Sequence, residues 1–184
     1  NKKSIINQRE VGLDTKSYAR ALRSAMRAAP DVLLIGEIRD RETMESAIML
    51  AGTGHLVLAT LHANNSAETL DRIINMFPME QHTQIFLDIS QYLRAIIAQR
   101  LVPGKNKRRC AAVELLINTP HVQELIKKGD VLGAKEALRT SSEKGMQHFD
   151  TALYELYKQG RITLEDALTY ADSRTNLEAK INFG

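Results

Sequence analysis

Residues 31–40 read DVLLIGEIRD. Four consecutive large aliphatics, Val32, Leu33, Leu34 and Ile35, make a run of strand length that stops at Gly36 and an acid, Glu37, with Arg39 and Asp40 close behind. A continuous apolar run predicts a strand covered on both faces, as in a parallel sheet lying under helices. Such sheets carry their chemistry at the carboxyl ends of the strands, where Glu37 falls. A carboxylate there can take a proton from an attacking water, or sit in the outer shell of a magnesium ion bound to phosphates. The same acid serves equally well as an ion-pair partner of Arg39, and the run alone does not separate the two roles.

Residues 54–65, GHLVLATLHANN, make a second strand of the same kind. It ends in a hydroxyl (Thr60), an imidazole (His62) and two amides before Ser66, which is expected to cap the following helix. A polar tip on an apolar stem suits contact with a phosphate. Lone histidines usually serve only packing or solvation, so the position of His62 at a strand end is what recommends it. A zinc site fits poorly. His55 and His62 differ by an odd offset, which puts them on opposite faces of one strand, and the chain has a single cysteine, Cys110. No direct protein ligation of a metal is therefore expected.

Helical stripes flank these strands. Before the first, Tyr18, Leu22, Ala25 and Met26 share a face, with Arg20, Arg23 and Arg27 pointing elsewhere, solvated or able to reach phosphates of a neighbouring subunit. After it, Asp40 is placed to cap a helix with Met44, Ala47, Ile48 and Ala51 on one side. Beyond Ser66 come Leu70, Ile73, Ile74 and Phe77, stopped at Pro78, and then a longer helix bearing Ile85, Ile89, Tyr92 and Ile96. Strand-like runs at 97–102 and 110–117 enclose Pro103-Gly104 and the basic residues Lys105, Lys107, Arg108 and Arg109. No aromatic residue is interleaved with these, so a solvated hairpin tip is expected rather than a nucleic-acid patch.

From Asn118 onward the pattern is helical, with starts at Thr119-Pro120 and Thr163 and stops at Gly129 and Gly160. Another helix is expected from Val131 to Ser141, and Phe149, Leu153, Leu156 and Tyr157 make a further stripe. Alternating strands and helices argue for an α/β fold, a parallel core over residues 1–117 followed by a helical subdomain over 118–184. With 184 residues, 43% hydrophobic and 26% charged, the chain can bury a real core. One cysteine suits a reducing compartment, no apolar run reaches membrane-spanning length, and a net charge of +3 does not demand nucleic acid.

Three stretches in this order, NQREVGLDT at 7–15, PDVLLIGEIRDRET at 30–43 and TGHLVLATLHANNSAETLDRIINMFP at 53–78, resemble the secretion-ATPase superfamily. Within it the likeness is to the type IV pilus retraction ATPases, the PilT/PilU twitching-motility family, along essentially the whole chain. The resemblance implies a RecA-like ATPase core, with residues 31–37 as the Walker B segment and Glu37 as the catalytic glutamate. It implies a His box over 54–62, with His55 and His62 near the nucleotide and His62 on the γ-phosphate. Arg39, Asp40, Thr60, Arg23 and Arg27 would then serve nucleotide binding or subunit coupling. It further implies ATP and Mg²⁺ as cofactors, the ion near Glu37, and a homo-hexamer. The partners would be a paralogous retraction ATPase and an inner-membrane pilus platform protein, at the cytoplasmic face of the inner membrane.

One family motif is missing. No stretch reads G-x-x-x-x-G-K-[ST], the loop whose amides cradle phosphates, and Gly104-Lys105 lacks both the earlier glycine and the following hydroxyl. The family carries that loop upstream, so the resemblance implies that Asn1 is an internal residue and the chain a C-terminal piece, inactive alone. The lack of a four-cysteine zinc module favours retraction over extension. The stretch PHVQELIKKG at 120–129 and the tail at 171–184 lean toward the accessory PilU-like branch. Gly52 stands where relatives often have an acid, which leaves the partner of Arg39 open. Two other classes remain: a nucleic-acid motor with a similar core, or a catalytically silent ring that docks partners.

Overall fold

The computed structural model describes residues 3–183, so the expectations that touch Asn1 and Gly184 lie outside the described residues. Its contacts form two compact units, residues 1–61 and 62–184. This boundary differs from the division at 117/118 suggested by helix content.

In the first unit, helix α1 (Tyr18–Met26) starts at Ser17, whose side chain accepts from the Arg20 amide, and buries Ala19 and Leu22. Strand β1 (Val32–Ile35) runs parallel to β2 (Leu56–Ala59), with α2 (Arg41–Gly52) between them in sequence. Asp40 caps α2 through a 2.8 Å bond from the Thr43 amide to Oδ1, as the sequence predicts. The buried face of α2 is Thr43, Met44, Ala47 and Leu50, while Ile48 and Ala51 are only half-buried.

Both strands were expected to be covered on two faces, and within their unit they are not. Register pairs Leu33 with Val57 and Ile35 with Ala59 on one side of the sheet, and Val32 with Leu56 and Leu34 with Leu58 on the other. On that second side Leu34 is 75% exposed and Leu58 48%. The pleat sends alternate residues to opposite faces, and α2, which packs on β2, can cover only one of them.

The second unit begins with α3 (Ser66–Asn75), a 3₁₀ turn at Met79–Gln81, and α4 (His82–Tyr92). Ile96 does not extend α4 as expected. The helix stops at Tyr92, where the Asn118 side-chain amide donates to the carbonyls of Ser90 and Leu93 at 2.8 and 2.9 Å. The chain then enters β3 (Ala95–Pro103), which pairs antiparallel with β4 (Arg109–Ile117). Period-two alternation turns Ile96, Ala98 and Val102 inward with Cys110, Ala112 and Leu116.

Helices α5 (Pro120–Lys127) and α6 (Val131–Thr140) follow, α5 packing on α4 and α6 on α3. Thr119 caps α5, and Gly129 takes φ +73° where it ends, against the Phe86 ring. The last three helices, α7 (Phe149–Lys158), α8 (Leu164–Tyr170) and α9 (Arg174–Phe183), close over the inward face of the hairpin. One core joins Ala98, Val102 and Ala112 of the strands to Phe149, Leu153, Leu168 and Leu177 of these helices. At α8 the Thr163 hydroxyl accepts from the Asp166 amide. The shorter Asp side chain accepts a hydrogen bond from the Thr163 hydroxyl, a variant of the reciprocal cap formed by Glu. Helix α9 falls in the expected helical subdomain but was not singled out there, because Leu177 and Ile181 give it only one apolar pair at helical spacing.

Candidate functional site

The parallel pair brings Glu37 and Thr60 to its carboxyl end. Beyond the last register pair, Ile35 with Ala59, the Ile38 amide donates to the Thr60 carbonyl at 3.0 Å, and the Thr60 hydroxyl donates to the Gly36 carbonyl. These bonds continue the sheet past the strands and fix the backbone on both sides of Glu37. The Glu37 carboxylate, about a quarter exposed, receives Arg39 Nη2 at 2.5 Å from Oε1. Hydrogen bonding and charge from Glu37 hold the Arg39 guanidinium above its ordinary range. Arg39 thus finds its acid in Glu37. A carboxylate fixed in direction can still order and deprotonate a water.

The other anticipated site residues divide. Asp40 is engaged as the α2 cap. Arg23 and Arg27 are exposed at the end of α1. His55 is not brought to the carboxyl end. It precedes β2, five residues before Thr60 and on the order of 15 Å away along an extended strand. Its Nδ1 lies 3.1 Å from Thr53 Oγ1 and 3.2 Å from the Leu50 carbonyl, closing the end of α2.

His62 belongs to the second unit and leads into α3. The cap of α3 is Asn65, not Ser66: its side chain accepts from the Glu68 amide at 2.8 Å. Glu68 answers by accepting from the Asn64 amide and side chain at 2.9 and 2.8 Å. Those bonds and Arg72 hold the Glu68 carboxyl below its ordinary range. Ser66 is one residue further in. It is buried, and its amide and hydroxyl both donate to Glu114 Oε1, at 2.8 and 2.7 Å.

Glu114 belongs to a cluster that the sequence reading missed. The residue is 1% exposed, and His148 beside it 4%. His148 Nε2 stands 4.0 Å from Glu114 Oε2 and 3.4 Å from Asp172 Oδ2, and Arg100 Nη1 lies 2.6 Å from Asp172 Oδ1. A signal existed: in β4, Glu114 occupies the same inward register as Cys110, Ala112 and Leu116. These three donors could surround a cation. The chemistry argues otherwise, since Arg100 and Lys135 already neutralise Asp172. His148 Nδ1 also accepts from the Asp150 amide, which leaves the ring proton on Nε2, where a metal would need a lone pair.

His148, with Arg100 and Lys135, holds the Asp172 carboxyl well below the usual carboxylate range. A folded value lower than the unfolded one means that Asp172 stabilises fully above about pH 4 and loses this as the pH falls further. Asp172→Asn is therefore expected to lower the urea midpoint at neutral pH and to weaken its decline below pH 4. Identical acid sensitivity in the two proteins would contradict this.

Strands ending in an acid and a hydroxyl, with a capped helix after each, define an α/β fold with its polar groups at the strand ends. Residues 5–176 match the family model described as "Type II/IV secretion system protein", and the chain belongs to that family. Among its relatives are the type IV pilus ATPase PilU of Pseudomonas aeruginosa, 54% identical over 98% of this chain and 47% of the relative, and PilT of the same organism, 41% identical over 91% and 48%. A twitching motility protein of Neisseria gonorrhoeae is 40% identical over 96% and 48%. The crystal structure of the pilus retraction motor PilT with bound ADP superimposes with a TM-score of 0.87 at 45% identity, covering 96% of this chain and 50% of that one. The chain spans about half the length of the curated relatives it matches. Among the described residues, no helix is long and apolar enough to cross a membrane.

Proposed function

We propose that this chain is the C-terminal part of the ATPase domain of a hexameric motor that couples ATP hydrolysis to type IV pilus retraction. It stands on the PilU-like side of the family. The observation that carries this reading is 54% identity to PilU along 98% of the chain, against 41% to PilT. In this reading Glu37 accepts the proton of the attacking water, Arg39 keeps it aimed, and Thr60 fixes the strand end that presents it. His62 contacts the γ-phosphate, and Arg23 and Arg27 face a neighbouring subunit. Mg²⁺, when bound, supplies charge neutralisation on the phosphates. An ionised carboxylate already paired with Arg39 suits the outer shell of that ion better than direct ligation.

Residues 118–184 act as the helical subdomain, at the cytoplasmic face of the inner membrane, beside a paralogous ATPase and a platform protein. The apolar side of the β1–β2 sheet, with Leu34 and Leu58, packs against the other half of the ATPase domain. Without a phosphate-cradling loop, the isolated chain is expected to bind a fluorescent ATP analogue only weakly, while the full-length protein binds it tightly with Mg²⁺. Tight Mg²⁺-dependent binding by the isolated chain would overturn the assignment of the phosphate grip to the remaining half.

A further inference from the structure

The start of α3, a few residues beyond His62, is held by two sets of bonds. Asn65 and Glu68 tie residues 64–68 to one another, so they stiffen the start of α3 without placing it. Glu114 does the placing. Its Oε1 collects the amide and hydroxyl of Ser66 across 48 residues of sequence and pins the first turn of α3 to the hairpin. A carboxylate suits that spot, because the first amides of a helix lack partners and its dipole favours negative charge.

As packing, this is a poor choice. Glu114 sits at an inward strand position between Ala112 and Leu116, where a polar side chain is costly to bury, and its Oε2 has no hydrogen-bond partner among the described residues. Behind it lie His148, Asp172 and Arg100, which belong to the N-terminal cap of α7, the segment after α8, and β3. The carboxylate therefore joins the start of α3 to the elements that close over the hairpin.

We propose that Glu114, acting through Ser66, is a positioning residue for His62, setting where its imidazole stands when nucleotide is hydrolysed. This rests on the reading of His62 as a γ-phosphate contact. The test uses the full-length protein in four forms: wild type, Ser66→Ala, His62→Ala and the double variant, each followed by kcat, KM for ATP and melting temperature. Ser66→Ala keeps the backbone bond to Glu114 and a good helix former, so it folds; Glu114→Gln provides a second variant.

Losing a hydrogen bond to a charged acceptor should lower kcat roughly three- to tenfold with KM little changed. On the His62→Ala background, Ser66→Ala should cost nothing more, since the group it positions is gone. Losses that multiply in the double variant would mean that Ser66 and Glu114 act independently of His62, overturning the proposal. Unchanged turnover in well-folded Ser66→Ala would overturn it too. A His62→Ala enzyme as fast as wild type would remove the underlying role of His62, and the proposal with it.

Discussion

A full-length protein carrying Glu37→Gln is expected to bind ATP as the wild type does and to hydrolyse it about two to four orders of magnitude more slowly. Glutamine keeps the size and one acceptor oxygen, so water and Arg39 still find a partner, but it cannot take a proton at neutral pH. The structure sharpens the test because it supplies the competing role, the bond from Arg39 at 2.5 Å. Arg39 is largely exposed, and surface ion pairs contribute little to stability. A purely structural Glu37 would therefore leave both turnover and melting temperature almost unchanged. Steady-state ATPase rates, nucleotide affinity and thermal melting separate the cases, and near-normal turnover by a well-folded variant would sink Glu37 as the base.

Phe149→Ala should remove about 3–5 kcal/mol of stability, a large part of the roughly 5–15 kcal/mol typical of a domain. The ring opens α7, is fully buried, and sits in the core shared by both hairpin strands and the last three helices. It also supports the Arg100 guanidinium, 3.9 Å from the ring centroid, which in turn holds Asp172. The variant leaves a cavity and loosens that ion pair together. Phe149→Leu keeps much of the volume and should lose far less. Guanidinium titrations of the three proteins provide the check; an alanine variant within about 1 kcal/mol of wild type would show that the core refills the space.

Local chemistry made much of this architecture legible. Asp40, Thr119 and Thr163 were identified as caps because a short polar side chain before a helical stripe has few other uses, and all three act so. The strands at 32–35 and 56–59 were found from their apolar runs, but an apolar run cannot say whether anything in the same chain covers it, and Leu34 stands open. Ser66 was taken for a cap because its true partner, Glu114, is 48 residues away. The cluster around His148 depends on pairings between distant segments, which periodicity does not encode. The resemblance assigns His55 a place near the nucleotide, and the structure adds its contact with the end of α2, which the spacing of apolar residues does not encode.

The two sheets also differ in how they can assemble. The β3–β4 hairpin closes from its turn, where Pro103 meets Arg109 six residues on, and each further pair lengthens the loop only slightly, up to Ala95 with Ile117. The β1–β2 pair has no such gradient: Val32 must find Leu56 across 24 residues, with α2 in between, before a single ladder bond forms. Loop-closure entropy is then met all at once, and non-local parallel pairing is slow for that reason. When the whole chain refolds, the hairpin can zip within microseconds, whereas the strand that presents Glu37 waits for its partner. In refolding, the strand end that carries Glu37 is thus the kinetically late part.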